Sequence, residues 1–350
     1  MKILALDLGK FNSMACVFNS KSKKQRTQLV KSERGYLKTL LKTTKPDLVV
    51  MEACSASGWV HDLCEESGLA TLVCSTHEDA WRWRNVKRKT DKDDAIKLAR
   101  LAWCNELKPT HVPNIEMREY RSLIHHRKKL VNRENQLKNS IRSLFANRGI
   151  PITRGTRTWF SGREQLERYR KPLIQCSMKE LWQGELDQYL TQLDQVNEML
   201  KQVEKKLDAI AKADSRVQRV MQIDGVGRVT AEAIVCAIDD AKRFQSARQV
   251  SAYVGLVPKQ YQSGETDRRG RITKRGPRLL RTLLVECAWC SLRYNEWSRI
   301  TYERIHGGKR VRRKKAAVAL ARKILVMAWA MLRDETDYDP SRLLHKKAAA

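Results

Sequence analysis

The sequence is poor in acidic residues. It contains 39 aspartates and glutamates against 69 lysines and arginines, which leaves a formal net charge of +30. Such a surplus repels itself unless a polyanion offsets it, and nucleic acid is the commonest polyanion. A ribosome-type structural protein and a membrane-surface protein are the other classes that fit the charge. Because 42% of the residues are hydrophobic, the chain can form real cores, and wholesale disorder is excluded.

Long apolar runs are also missing. No run approaches the roughly 20 residues that a membrane-spanning helix needs, and Asp7 interrupts the first apolar run where a signal peptide would carry its core. We therefore expect a cytoplasmic protein with no membrane partner and with its nine cysteines reduced. Cys287 and Cys290 form one CxxC pair, but no second pair and no histidine pair stands at zinc spacing, which favours core packing.

Residues 1–112 are predicted to form an α/β domain of the RNase H type. Five strand-like runs stand at 3–8, 14–18, 25–30, 48–51 and 70–74. A helical pattern follows the third run, and two more are predicted near 57–67 and from about 90 to 104. Three strands followed by alternating helices and strands is the order of an RNase H-like fold, in which the first and fourth strands are neighbours.

Residues 113–212 are predicted to form a helical coiled-coil arm. Apolar residues alternate spacings of three and four over more than three heptads, at Leu186, Leu190, Leu193, Val196, Leu200, Val203, Leu207 and Ile210. An antiparallel mate could come from the seven-residue repeat of Leu123, Leu130, Leu137 and Leu144. Such an arm suits dimerisation or the gripping of a long ligand. The Arg-rich stretch 147–178 is irregular and predicts no element.

Four carboxylates are candidates for one metal site. Asp7 ends the first strand, Glu52 follows the fourth, and Asp91 and Asp94 stand three apart on one face of the next helix. In an RNase H-like sheet these positions converge, and carboxylate oxygens suit Mg²⁺, with two ions about 3.5–4 Å apart around a scissile phosphate. For the helical pair a second interpretation stays open, because acids in a first turn also complement the helix dipole.

Residues 213–335 are predicted to form a basic helical domain, followed by a flexible tail over 336–350. The run from Ile223 to Ala231 is typical of a helix-hairpin-helix turn, in which Gly225 and Gly227 let the backbone approach a phosphate and Arg228 adds charge. An ordinary turn between two helices is the alternative.

Further along this domain stands a serine in a strongly basic stretch. Gln262-Ser263-Gly264 precedes seven cations that we expect to contact nucleic acid, namely Arg268, Arg269, Arg271, Lys274, Arg275, Arg278 and Arg281. Ser263 could be a nucleophile whose transition-state charge these side chains stabilise. On the residues alone, a basic loop with an incidental serine is the favoured interpretation.

The combination of motifs resembles a known family. The four carboxylates with Lys-Thr-Asp-x-x-Asp-Ala at 89–95, Gly-Leu-Val-Pro at 255–258, Gln-Ser-Gly at 262–264 and Gly-x-Ile-x-Lys-x-Gly at 270–276 are similar to the DEDD transposases of bacterial insertion sequences. These are also called bridge-RNA-guided recombinases, and the Piv-type DNA invertases are their relatives. The resemblance covers about residues 1–335.

This resemblance implies a fold and a mechanism. It implies a RuvC-like domain, a coiled-coil dimerisation arm and a C-terminal transposase domain, with Asp7, Glu52, Asp91 and Asp94 binding Mg²⁺ and Ser263 attacking the DNA phosphate. The protein would then be a site-specific serine recombinase that moves its own element through a phosphoserine link. Its implied partners are donor and target DNA, a structured non-coding guide RNA, and copies of itself, as a homodimer that assembles to a tetramer at the bacterial nucleoid.

Two other functions stay open at this point. A RuvC-type junction resolvase or nuclease would use the carboxylates alone, with Ser263 idle. A non-catalytic nucleic-acid-binding scaffold would use the acids only to cap helices. Dependence on a divalent metal separates the scaffold from both enzymes, and covalent capture of DNA separates the recombinase from the nuclease.

Overall fold

The structure is a computed structural model that describes residues 1–75, 90–263 and 266–340, without the side chain of Arg269. The chain divides into two compact units, Met1–Arg118 and Glu119–Ala350. No helix within the described ranges has both the length and the apolarity of a membrane span.

The first unit is built on a five-stranded sheet. Its strands are β1 (Lys2–Asp7), β2 (Asn12–Asn19), β3 (Gln25–Lys31), β4 (Leu48–Glu52) and β5 (Ala70–Cys74). The spatial order is β3-β2-β1-β4-β5, with the first three strands antiparallel and β4 and β5 parallel to β1. The first and fourth strands are therefore neighbours, as the RNase H-like order predicted.

Helices cover both faces of this sheet. They are α1 (Arg34–Thr44), α2 (Ser57–Glu66) and α3 (Asp91–Trp103). Because side chains alternate along a strand, Ile3 and Ala5 face α3, whereas Leu4 and Leu6 face α1 and α2. Both sets are fully buried, so the sheet has an apolar core on each side. The predicted mixed α/β class of this part is confirmed.

The second unit is mainly helical. It contains most of α4 (Ile115–Ala146), followed by α5 (Arg163–Glu167), α6 (Leu181–Ala213), α7 (Ser215–Met221), α8 (Arg228–Ile238), α9 (Ala247–Val254), α10 (Arg278–Tyr294), α11 (Glu296–His306) and α12 (Arg313–Asp334). The helical character predicted for the C-terminal part is confirmed. The core of that part forms around α12, whose small residues Ala316, Ala317, Ala321 and Ala328 let α10 and α11 pack closely.

The long helices α4 and α6 pack side by side in opposite directions. Arg127 pairs with Glu204, and Arg133 donates to Gln192 over 2.8 Å. Further along α4, the ring of Phe145 meets that of Trp182. Their common core contains leucines from both predicted repeats, at Leu130, Leu137, Leu144, Leu186, Leu190 and Leu193. Coiled-coil geometry itself stays a prediction.

The stretch 147–178, for which the sequence predicted no element, caps the end of these two helices. It consists of turns, two 3-10 segments and the short α5. Leu166 of α5 is fully buried in the same core as Phe145 and Leu186. Its order therefore comes from contacts that are distant in sequence, which periodicity cannot reveal.

Two details of the C-terminal part differ from expectation. It contains a hairpin of two strands, β6 (Pro258–Ser263) and β7 (Thr266–Ile272), in a region expected to be helix and loop. The first residues of the expected flexible tail also contact the core. The backbone of Tyr338 donates to Gln222 over 2.8 Å, and its hydroxyl accepts from Asn295 over 2.9 Å. Residues 341–350 lie outside the described ranges.

The packing of α4 on α6 gives a first prediction. Leu190→Ala should lower the free energy of unfolding by about 2–5 kcal/mol, because it removes a fully buried side chain and leaves a cavity. Met199→Ala, on the same helix at a position that is 48% exposed, should change it by less than about 0.5 kcal/mol. Urea unfolding followed by helical circular dichroism measures both. Equal losses would contradict the assigned core.

Candidate active site

Two of the predicted carboxylates end neighbouring parallel strands. Asp7 is the last residue of β1, and Glu52 is the last residue of β4. The parallel register places Leu6 opposite Met51, so the next residues along, Asp7 and Glu52, are neighbours at one edge of the sheet. Both side chains are partly buried there.

Strand alternation also assigns the two carboxylates to one face. Asp7 shares its face with Ile3 and Ala5, and Glu52 shares its face with Val50. Those three apolar residues pack against α3. Asp7 and Glu52 therefore belong to the face that α3 covers.

The direction of α3 brings its first turn to the same edge. Trp103, at the end of α3, contacts the ring of Phe18 with centroids 5.7 Å apart, and Phe18 pairs with Ile3 near the start of β1. Since α3 then runs antiparallel to β1, its first turn lies toward the carboxyl end of that strand. This turn carries Asp91, which is exposed, and Asp94, which is only 7% exposed.

The cap of α3 uses neither of these two acids. The Asp93 amide donates to the Thr90 hydroxyl oxygen over 3.2 Å, and the Thr90 hydroxyl donates to the Asp93 carboxylate over 2.6 Å. Thr90 and Asp93 thus form the cap that the structure describes. Asp91 and Asp94, as acids of the first turn, complement the helix dipole.

The four carboxylates fit a hard divalent cation by chemistry, because all of their donor atoms are oxygens. No three of them hold ligand atoms within 4.8 Å of one another. In the part of the chain that the structure describes, His61, Asp62 and Glu65 of α2 form the one group that does. Asp62 of that group pairs with Arg118, which gives it a structural partner. Asp7, Glu52 and Asp94 each have an interaction of their own.

Ser263 stands at the exposed tip of the β6–β7 hairpin, opposite Thr266. Tyr261, two residues earlier, pairs with Arg268, so Arg268 is on the same hairpin face as Ser263. The other exposed cations of the predicted set follow along β7 and past it, at Arg271, Lys274, Arg275 and Arg278. Gly264 and the side chain of Arg269 lie outside the described residues.

At the foot of the hairpin the chain crosses itself. Gly255 and Gly276 both have a positive φ, of 74° and 76°. A Cβ on Gly255 would overlap the carbonyl oxygen of Arg275, and one on Gly276 would overlap that of Tyr253. Only glycine fits at either position. We call Gly255, Gly276 and Arg281 the hairpin foot.

Within this foot, Arg281 holds two backbone segments together through hydrogen bonds. Its Nη1 donates to the carbonyl oxygens of Val254, Arg275 and Gly276 over 2.7–3.0 Å. One guanidinium thus ties the end of α9 to the segment that enters α10. Arg281 was expected to contact nucleic acid, but its described contacts hold the backbone instead. We leave it out of the proposed nucleic-acid surface.

The turn at 222–227 joins α7 to α8, as the helix-hairpin-helix prediction requires, although the motif itself stays a prediction. A Cβ on Gly225 would meet Ser291 Cα at 2.7 Å, so this glycine serves packing against α10. Gly227 faces open space and leaves room for a ligand. Arg228 donates to Glu232 over 3.0 Å and pairs with Glu204, so we also leave it out of the proposed surface.

One basic segment was missed by the sequence reasoning. Residues 307–315 contain six cations in nine positions, all exposed, at Lys309, Arg310, Arg312, Arg313, Lys314 and Lys315. The charge run itself was visible in the sequence. The segment spans the connection from α11 to α12 and the first turn of α12, and it adds a second exposed run of positive charge to that of the hairpin.

Comparison with known proteins gives matches over most of the chain. A family model described as the transposase IS116/IS110/IS902 family matches residues 217–303, and another, described as transposase, matches residues 4–147. The transposase for insertion sequence element IS1111A of Coxiella burnetii is 31% identical, over 97% of this chain and 91% of its own length. The transposase for IS1328 of Yersinia enterocolitica is 27% identical, over 94% and 96%.

Two further similarities are more distant. The pilin gene-inverting protein of Moraxella bovis is 25% identical over 73% of this chain and 69% of its own length. The RuvC structure of Thermus thermophilus is 15% identical and covers 31% of this chain and all of that one, with a TM-score of 0.24, which is too low to establish a common fold.

The hairpin foot gives a second prediction. Arg281→Lys keeps the charge, but its side chain is one bond shorter, so the ammonium cannot reach the position from which Nη1 contacts the three carbonyls. Backbone hydrogen exchange in β6 and β7 should therefore become at least about tenfold faster, since a hydrogen bond to a charged group contributes about 1.5–3 kcal/mol. Arg278→Lys, at an exposed position three residues earlier, is the matched control and should leave exchange unchanged. Unchanged exchange in both variants would remove Arg281 from the foot.

Proposed function

Because the chain belongs to the IS116/IS110/IS902 family of insertion-sequence transposases, we propose that it cuts and rejoins DNA through a covalent link to Ser263. DNA is the substrate of a transposase, so the proposal concerns how this one attacks it. The observation that carries the proposal is the position of Ser263. It is an exposed hydroxyl at the tip of a hairpin whose foot is fastened, with Arg268 on the same face.

In the proposed step the Ser263 oxygen attacks a DNA phosphate. An Oγ–P bond forms as the bond from phosphorus to the oxygen of one DNA strand breaks. The serine loses its proton, and the departing strand oxygen gains one. Because the phosphodiester is conserved as a phosphoserine ester, the reverse reaction rejoins DNA without ATP. Arg268 and the exposed cations that follow it would offset the charge that builds up on the phosphate.

The carboxylates would hold the metal. Asp7, Glu52, Asp91 and Asp94 offer only oxygen ligands from one edge of the sheet, the donor type that Mg²⁺ prefers. A bound divalent cation would stabilise negative charge on the oxygens of the reacting phosphate. The protein's own part is to hold these four carboxylates on two strand ends and one helix.

The remaining proposals concern partners. A charge of +30 and the family support a structured guide RNA, in which base pairing would carry specificity while the protein contacts backbone. The paired helices α4 and α6 would serve as a coiled-coil arm through which homodimers form and assemble to a tetramer. We place its activity in the bacterial cytoplasm, at the nucleoid.

The metal site is tested by Asp7→Asn. The variant should abolish strand exchange, because one ligand loses its charge, while thermal stability and RNA binding stay close to wild type. Asp47→Asn is the matched control, because Asp47 accepts from the Lys2 amide at the other end of β1. A Mg²⁺ titration of recombination in both variants makes the measurement. Wild-type recombination by Asp7→Asn in Mg²⁺ would show that the site is misassigned.

The serine is tested by trapping. Denaturing a reaction stalled on nicked DNA should leave DNA attached to the protein, and peptide mapping should place it on Ser263. Ser263→Ala should lose the adduct and recombination together, and Ser263→Cys is expected to keep a trace. Thr266→Val is the control, since it removes a hydroxyl from the cross-strand partner and keeps the side-chain shape. Cleavage that continues in Ser263→Ala, with no wild-type adduct, would make the protein a carboxylate nuclease.

A further inference from the structure

The second unit contains a large groove that the proposed chemistry does not use. It is lined by parts of α9, α11 and α12 and by residues 336–339, and its volume is about 1100 Å³. Small-molecule sites in proteins usually measure about 300–1,000 Å³. The size therefore favours an extended ligand over a single small one.

Four cations line this groove. Arg248 and Arg304 are exposed, whereas Arg322 and Lys323 are half-buried. Among the residues that the structure describes, none of the four forms a salt bridge. Burial, and then the nearby Arg304 and Arg322, hold the pKa of Lys323 below its ordinary value. These four cations outnumber the two acids of the lining, Asp337 and Asp339, so the groove keeps a net positive charge that an anionic ligand would offset.

Two acids, Asp337 and Asp339, stand on the wall formed by 336–339. The carboxylate of Asp337 accepts from Gln222 over 3.0 Å and lies 3.9 Å from Arg219, both on or next to α7. Asp339 also has an interaction of its own. With two acids against four cations in the lining, the groove keeps an excess of positive charge.

Between the cations the lining is apolar. Trp297 and Ile300 come from α11, and Val326, Met327 and Ala330 come from α12. This mixed lining does not fit a small inorganic anion, which would need only polar residues, or a purely apolar ligand, which would need no cations. A single-stranded nucleic acid matches both kinds of lining residue, because a base can stack on an indole ring while its phosphate contacts a cation.

We propose that this groove binds an unpaired stretch of RNA, with bases on Trp297 and the apolar lining and with phosphates on Arg248, Arg304, Arg322 and Lys323. Bases must be unpaired to reach the lining, and the loops and bulges of a structured RNA offer them, whereas duplex DNA keeps its bases stacked. The choice of RNA over DNA rests on the guide RNA of the proposed function.

The test measures binding of a labelled RNA hairpin with a uridine-rich loop to the full chain, beside a fully paired RNA of equal length. Trp297→Leu should weaken binding of the looped RNA about 5- to 100-fold, the range for loss of one stacked base, and leave the paired RNA unchanged. Trp289→Leu is the matched control, because Trp289 is a partly exposed tryptophan that does not line the groove. Equal effects of the two variants would overturn the proposal.

Charge is tested separately, in case Trp297→Leu disturbs the core it touches. Arg304→Gln, at an exposed position, should lower the slope of log affinity against log salt by about 0.7 for the looped RNA. Lys205→Gln on α6 removes the same charge from an exposed position outside the groove and should not change the slope. An unchanged slope in Arg304→Gln would count against phosphate contact.

Photocrosslinking then identifies the ligand. A 4-thiouridine in the loop should crosslink to the peptide that contains Trp297, and crosslinks confined to other peptides would overturn the site. Equal binding of a deoxyuridine loop, with the same dependence on Trp297, would overturn the choice of RNA. Ser263→Ala should bind the looped RNA normally, so failure of the serine mechanism is distinguished from failure of the groove.

Discussion

The parallel pairing of β1 with β4 is the interaction on which the candidate carboxylate site depends. The strands lie 41 residues apart along the chain, from Asp7 to Leu48, yet their register makes Asp7 and Glu52 neighbours. The apolar residues before each acid are fully buried, so the strands cannot slip by one residue without turning that core to the opposite face. Burial of Ile3, Ala5 and Val50 under α3 thus fixes where the carboxylates stand.

Positive charge divides into two kinds in this protein. Some cations bind groups inside the protein. Arg228 pairs with Glu204 and Glu232, and Arg281 donates hydrogen bonds to three backbone carbonyls. Among the described residues, the exposed cations of the hairpin and of 307–315 form no such hydrogen bonds or salt bridges, and their side chains extend into solvent. Only the exposed cations are ready to bind a phosphate, because a guanidinium that is already hydrogen-bonded to a carboxylate or to carbonyls would have to break those bonds first.

The sequence predicted most of the first unit because alternation and turn residues are local signals. The five strands, the start of α3 at Thr90 and the two strand-end acids all follow from such signals. The hairpin at 258–272 escaped prediction because its residues are mostly polar and both faces of β6 are exposed, so no alternation marks it. The roles of Arg228 and Arg281 escaped as well, since their partners come together only through tertiary packing.

Ser263 lies at the end of the hairpin that is farthest from the foot, so a small rotation at the foot moves its hydroxyl a long way. Six residues of β6 span about 20 Å, so a rotation of about 10° at the foot would carry the hydroxyl about 3.5 Å, farther than a hydrogen bond is long. For the proposed reaction the hydroxyl must be held to within about 0.5 Å, which at this distance allows an angular error of only about 1.5°. Two glycines in close backbone contact and a guanidinium bonded to three carbonyls form the stiff joint that such a tolerance demands.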